Sequence, residues 1–196
     1  MSFQILSVTY HKGRIKHRKG KKMKIKNKLK CLIKSLVPGA GVTINTWKWA
    51  SKAGLAKLGS PAAAYACPQM GILRSILFRL LGGRNHNVYI DLAEFTNWGI
   101  TSEEVLSMFA AHECGHVVKG HLQKYAGAFN GKNSIELRNT RDEIEADLTA
   151  AGWIKPHKET LAEMYIFLKY YSADEYQDEV KARVAAMKAY RRKFLK

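Results

Sequence analysis

The sequence predicts an α+β protein, mostly helical with a small sheet. Three observations carry this expectation. Residues 87–95 alternate Val88, Ile90 and Leu92 against Tyr89, Asp91 and Ala93, the period of two expected of a strand with one buried face. From about residue 102 to 124 apolar side chains recur at helical spacing after a Thr101-Ser102-Glu103-Glu104 capping-box sequence. Residues 158–194 read as two further amphipathic helices parted near Ser172. A chain of 196 residues can bury a sizeable core in one domain.

Charge divides the chain. The formal net charge is +17, and 18 of the 33 Lys and Arg residues precede Asp91, the first acidic residue. The remainder is nearly balanced, with 15 basic against 16 acidic residues. Residues 1–37 are therefore expected as a basic arm with the composition of a flexible segment. Residues 38–196 are expected as the folded domain, with a helical N-terminal part over 38–82.

Taken in order, residues 3–10 have the character of a short strand. Residues 11–34 pack twelve Lys or Arg around a narrow apolar stripe of Met23, Ile25, Leu29, Leu32, Ile33 and Leu36. Lys21, Lys22, Lys24, Lys26, Lys28 and Lys30 form the centre of this basic patch. A solvated arm is the simpler reading. The sharper one is a surface that engages nucleic acid or an anionic membrane. No aromatic residue interleaves the run, so base stacking is not indicated.

Pro38 to Gly41 marks a loop, and residues 46–58 read as a helix stopped by Gly59. Ser60 and Pro61 look like the start of a short helix ending by Pro68, followed by another helix over 69–81. That last segment is the most lipid-like of the chain, but Arg74 and Arg79 interrupt it, so no transmembrane segment is expected. Cys31, Cys67 and Cys114 are odd in number and lack zinc-ribbon spacing. A free thiol beside metal-binding histidines suits a reducing compartment, and a cytoplasmic location is expected.

The chemistry is concentrated in His112-Glu113-Cys114-Gly115-His116. At about 100° per residue, His112 and His116 lie one helical turn apart on one face, where two imidazoles reach one tetrahedral zinc. Glu113 projects beside them toward a water in the open position. Residues 140–151 read as a second helix, with Gly152 just beyond its end. It aligns Glu143, Ala146 and Asp147 on one face. Glu143 is the candidate third ligand, small Ala146 permits close helix approach, and Asp147 is placed to accept the outward N–H of a ligating histidine, His112 for choice. Among other candidates, His121 is expected at the surface because five helical residues carry it away from His116. Glu145 is expected to face solvent, Glu136 is a weaker ligand candidate, and Cys114 reads as a core thiol.

The motif His112-Glu-x-x-His116, followed 27 residues later by Glu143-x-x-Ala146-Asp147, resembles the gluzincin metallopeptidases. Within them it is most similar to the soluble minimal relatives of the CaaX-prenyl-protease and heat-shock membrane protease family. The cytosolic repressor-cleaving metallopeptidases are the second choice. The resemblance covers about residues 87–152 and leaves residues 1–80 unmatched. It implies a zincin-like fold with residues 87–95 as the edge strand, 102–124 as the active-site helix and 140–151 as the glutamate helix. It implies one Zn2+ per chain on His112, His116 and Glu143, with Glu113 as catalytic base. It also implies an oxyanion stabiliser downstream, with His157 preferred over Tyr165, Tyr170 and Tyr171. The expected activity is zinc-dependent hydrolysis of a protein or peptide substrate bound along the edge strand. The rival expectation is an inactive zincin-like scaffold whose basic region, residues 11–34, binds nucleic acid or an anionic surface.

Overall fold

The computed structural model describes residues 16–45, 64–68, 86–121, 139–171 and 176–194. In chain order these form α1 (Lys16–Leu36), β1 (Gly41–Asn45), β2 (Ala64–Pro68), β3 (His86–Asp91), α2 (Leu92–Asn97), α3 (Glu103–Val118), α4 (Thr140–Ile154), α5 (Lys158–Tyr171) and α6 (Gln177–Phe194). The described residues are thus mostly helical with a small sheet, as the sequence predicts. The strand expected at 3–10, the helices expected at 46–58 and 69–81, and Glu136 lie outside the described residues.

Residues 24–37 correct the expectation of a solvated arm. The apolar stripe of α1 is spaced at i and i+4, which sets Ile25, Leu29, Ile33 and Val37 on one side of the helix. All four are buried in the main core, with Leu29 and Ile33 at 0% exposure. Burying such a side chain contributes about 1.5–3 kcal/mol, while the lysines keep their charge in water. Lys24, Lys28 and Lys30 are exposed and Lys26 is half-buried; the side chains of Lys21 and Lys22 lie outside the described residues. Helix α1 packs on α3, and Lys28 Nζ sits 2.6 Å from Glu103 Oε1 at the rim of that contact.

The sheet has the order β1-β3-β2, which corrects the expected edge position of residues 87–95. Strand β3 is central, parallel to β1 and antiparallel to β2. Both its faces are covered: Val88 and Ile90 on one side, Tyr89 and Asp91 on the other. The strand also ends at Asp91. The Asp91 carboxylate accepts hydrogen bonds from the Ala93 and Glu94 N–H groups at 2.9 and 3.0 Å, so residues 92–97 enter α2. Strand β2 replaces the short helix expected after Ser60. Its register runs from Ala64 opposite Ile90 to Pro68 opposite His86, and a proline at the end of an edge strand costs no ladder bond. Strand β1 follows a turn at Gly39, whose φ of 83° suits glycine.

The helix boundaries differ from expectation in instructive ways. Helix α3 is capped by Ser102 rather than Thr101, with Ser102 Oγ accepting from the Val105 N–H. Glu104 is thereby freed to cap a different helix. Its carboxylate accepts from the His157 N–H at 3.1 Å and from the Thr160 hydroxyl at the start of α5. Helix α3 stops at Val118, not near residue 124. Gly120, at φ 72°, turns the chain while the Lys119 and Gly120 N–H groups bond to Gly115 and Val117 carbonyls. Helix α4 runs through Gly152 to Ile154 and ends on Lys155 at φ 50°.

Helices α5 and α6 appear as the sequence predicts. Leu161, Met164, Leu168, Val180 and Met187 are buried, while Ile166 on α5 is exposed. Phe95, Phe109 and Phe167 form an aromatic cluster with ring centroids 5.0–6.2 Å apart that ties α2, α3 and α5 together. Among the described residues, no helix is long and apolar enough to cross a membrane.

Candidate metal centre

Helices α3 and α4 form the most extensive helix contact of the described chain. They meet at Gly115 and Ala146. A methyl group at Gly115 would fall 3.1 Å from both the Ala146 Cα and its carbonyl oxygen. Two small residues at the crossing let the backbones approach, and the longer side chains on either side of it then face one another.

Those side chains are His112 and His116 from α3 and Glu143 from α4. The two histidine Nε2 atoms are 3.0 Å apart. Glu143 Oε2 lies 3.4 Å from His112 Nε2, and Oε1 lies 3.4 Å from His116 Nε2. A tetrahedral ion with bonds of about 2.0–2.1 Å spaces its donors by about 3.3 Å, so this triangle fits such an ion. Two imidazoles and one carboxylate also match the donor chemistry of zinc, with a fourth position left over. Glu113, next to His112 in α3, is buried.

Asp147 takes the expected place, its Oδ1 2.8 Å from His112 Nδ1. Burial disfavours charge on His112, but Asp147 and then Glu143 outweigh it and raise its pKa to about 10. His116 moves the other way. Burial, reinforced by the neighbouring His112, lowers its pKa to about 3.

A residue absent from the sequence reading completes the cluster. Arg183, on α6 and only 4% exposed, reaches two of the carboxylates of α4, Asp147 and Glu143. Its Nε lies 2.7 Å from Asp147 Oδ2 and its Nη2 2.9 Å from Oδ1, while Nη1 lies 2.9 Å from Glu143 Oε2. Although burial opposes ionisation, Arg183 and His112 hold the Asp147 pKa down to about 2. The hydrogen bond with His112 and the Arg183 charge hold Glu143 well below the usual carboxylate range against the same opposition. A signal was present in the sequence: Arg183 is three residues after Val180 and four before Met187, on the buried stripe of α6.

His121 is a second correction. It is not a surface residue; at 1% exposure it is among the most buried side chains described. The expectation assumed a regular helix through residue 121, whereas the Gly120 turn folds His121 back onto the ligand cluster. Its Nδ1 lies 3.0 Å from His116 Nδ1, and its Nε2 lies 3.2 Å from Glu145 Oε2 and 3.8 Å from Asp142 Oδ1. Glu145 is consequently not a simple solvent-facing carboxylate, since it pairs with His121 and, at 3.0 Å, with Lys119.

His157 is not brought to the site. It is exposed and begins the turn into α5, where its N–H bonds to Glu104. Glu143 lies in the first turn of α4 and His157 follows beyond its other end, Ile154 itself being about 16 Å from Glu143 at the helical rise per residue. Tyr165 is half-buried on α5, and burial together with the Asp147 charge raises its pKa to about 12. The side chains of Tyr170 and Tyr171 lie outside the described residues. Cys114 is the expected core thiol, fully buried, with its pKa pushed up to about 12 by burial and Glu113.

No family model, curated protein or solved structure matches the chain.

Proposed function

We propose that the chain is a zinc-dependent endopeptidase of the gluzincin kind. The observation that carries this reading is the donor triangle of His112, His116 and Glu143, with an acid–base residue, Glu113, adjacent on the same helix. One zinc per chain would be held by those three side chains. When bound, it supplies a Lewis acid for the scissile carbonyl and for the attacking water. Glu113 accepts the proton of that water and delivers it to the leaving amine. Asp147 holds His112 with its Nε2 lone pair toward the ion, and Arg183 neutralises the excess carboxylate charge behind the ligands.

The substrate would be an extended segment of a protein or peptide. Such a segment adds to a sheet through an unpaired edge. Strand β3 offers none; of the two edge strands, β2 is the proposed docking strand because it packs against α3. A reducing, cytoplasmic setting fits the exposed free Cys31.

The reading is tested by incubating zinc-loaded protein with an unfolded protein substrate and mapping the products by mass spectrometry, beside Glu113→Gln. Cleavage by the wild type that is lost in Glu113→Gln supports it. Zinc retention without cleavage of any substrate would favour an inactive scaffold instead.

A further inference from the structure

The two histidines of the triangle are held from behind in different ways. His112 meets a carboxylate directly, at Asp147. Among the described residues no carboxylate stands behind His116; the neighbour of its outward nitrogen is the His121 ring. Behind His121 stand Glu145 and the buried Asp142. The chain His116, His121, Glu145 runs from the ligand cluster to the protein surface, where Glu145 is 43% exposed and paired with Lys119.

Proton placement along this chain is determined by chemistry. Both ligand rings turn Nε2 toward the triangle, so for either to bind an ion its Nε2 must carry a lone pair and its Nδ1 the proton. Among the described residues, His116 Nδ1–H then has His121 Nδ1 as its acceptor, which must be the unprotonated nitrogen of that ring. The His121 proton is thereby confined to Nε2, where Glu145 Oε2 accepts it at 3.2 Å and Asp142 Oδ1 adds a favourable charge at 3.8 Å. Every donor in the series has one acceptor and no two protons collide.

We propose that His121 is a positioning residue for the metal centre: it holds His116 in the Nδ1–H tautomer and relays to it the negative charge of Glu145 and Asp142. The inference rests on the zinc reading above. It also accounts for the end of α3. Had the helix continued regularly through residue 121, the ring would have pointed away from His116; the Gly120 turn at φ 72° brings it back.

The test measures zinc affinity by chelator competition for the wild type, His121→Phe and His121→Asn. Phenylalanine fills the buried space but accepts no hydrogen bond, whereas the asparagine side-chain carbonyl can accept from His116 Nδ1–H. Loss of a partner behind a metal ligand typically weakens metal binding about 10–100-fold. His121→Phe is expected to show such a loss and His121→Asn to recover most of it. Nitrogen NMR of the zinc-loaded wild type is expected to show His116 protonated at Nδ1. Wild-type affinity retained in His121→Phe overturns the relay alone, as does equal weakening in both variants. A wild type that takes up no zinc overturns the metal centre, and the relay with it.

Discussion

Arg183 grips Asp147 through two parallel hydrogen bonds of 2.7 and 2.9 Å, and this buried pair ties α6 to the back of the candidate metal centre. The same guanidinium touches Glu143 and lies 3.4 Å from Glu179. Three carboxylates therefore share this cation, and two of them, Asp147 and Glu143, also face His112. Removing one partner of a buried ion pair leaves uncompensated charge and costs about 3–5 kcal/mol. Arg183→Ala is accordingly expected to destabilise the metal-free protein by about that much in urea unfolding. Arg183→Lys should recover only part of the loss, because an ammonium cannot reproduce the two-point geometry.

The crossing of α3 and α4 gives a second expectation. In an isolated helix Gly→Ala is favourable by about 1 kcal/mol. At Gly115 the added methyl meets the backbone of Ala146 at 3.1 Å, and backbone cannot move aside as a flexible side chain does. Overpacking of this kind costs about 1–3 kcal/mol. Gly115→Ala is expected to lower the melting temperature and weaken zinc binding together, because the ligands come from both sides of the crossing. Unchanged zinc affinity in a Gly115→Ala protein would count against this arrangement.

Proton linkage gives a third. In the metal-free protein His112 holds a proton up to about pH 10, whereas His116, lowered to about 3, holds none near neutrality. An ion must displace the His112 proton, so metal binding between pH 7 and 9 is expected to release about one proton. Affinity should then rise about tenfold per pH unit in that range. Calorimetry in two buffers of different ionisation enthalpy measures the release directly. The stability of the metal-free protein follows the opposite course. The raised His112 pKa contributes stability that is full below the ordinary value of 6.5 and is lost as pH rises through about 10. Asp147 contributes stability that is full above its ordinary 3.8 and is lost as pH falls through about 2.

Helix α1 supplies a fourth. Leu29 is completely buried, and Leu→Ala at such a site costs about 2–5 kcal/mol. Leu29→Ala is expected to show that loss in urea unfolding, whereas Lys30→Ala, at an exposed position, should change stability little. Equal effects would contradict the packing of α1 on α3. Deleting residues 1–35 would remove core as well as charge, so a polyanion-binding test of the basic face needs Lys24 and Lys30 substitutions instead.

The parts legible in the sequence are those encoded within one element. The spacing of His112 and His116 fixes them on one face, and that of Glu143, Ala146 and Asp147 does the same, so the triangle needed only the two helices to meet. The two C-terminal helices and the stripe of α1 were visible for the same reason. Arg183 was missed because its partners are 36 and 40 residues away in the chain, and no local pattern joins them. His121 was misplaced because a single left-handed glycine altered its direction. The edge and centre of the sheet were confused because strand order depends on pairings between segments far apart, and β1 and β2 are only five residues each.

The most direct measurement of the central claim is X-ray absorption at the zinc edge of the loaded protein. Two imidazole nitrogens and carboxylate or water oxygens at about 2.0–2.1 Å, with one zinc per chain, are expected. A sulfur neighbour at about 2.3 Å, or spectra unchanged by His116→Ala, would contradict the assignment of His112, His116 and Glu143 as the ligands.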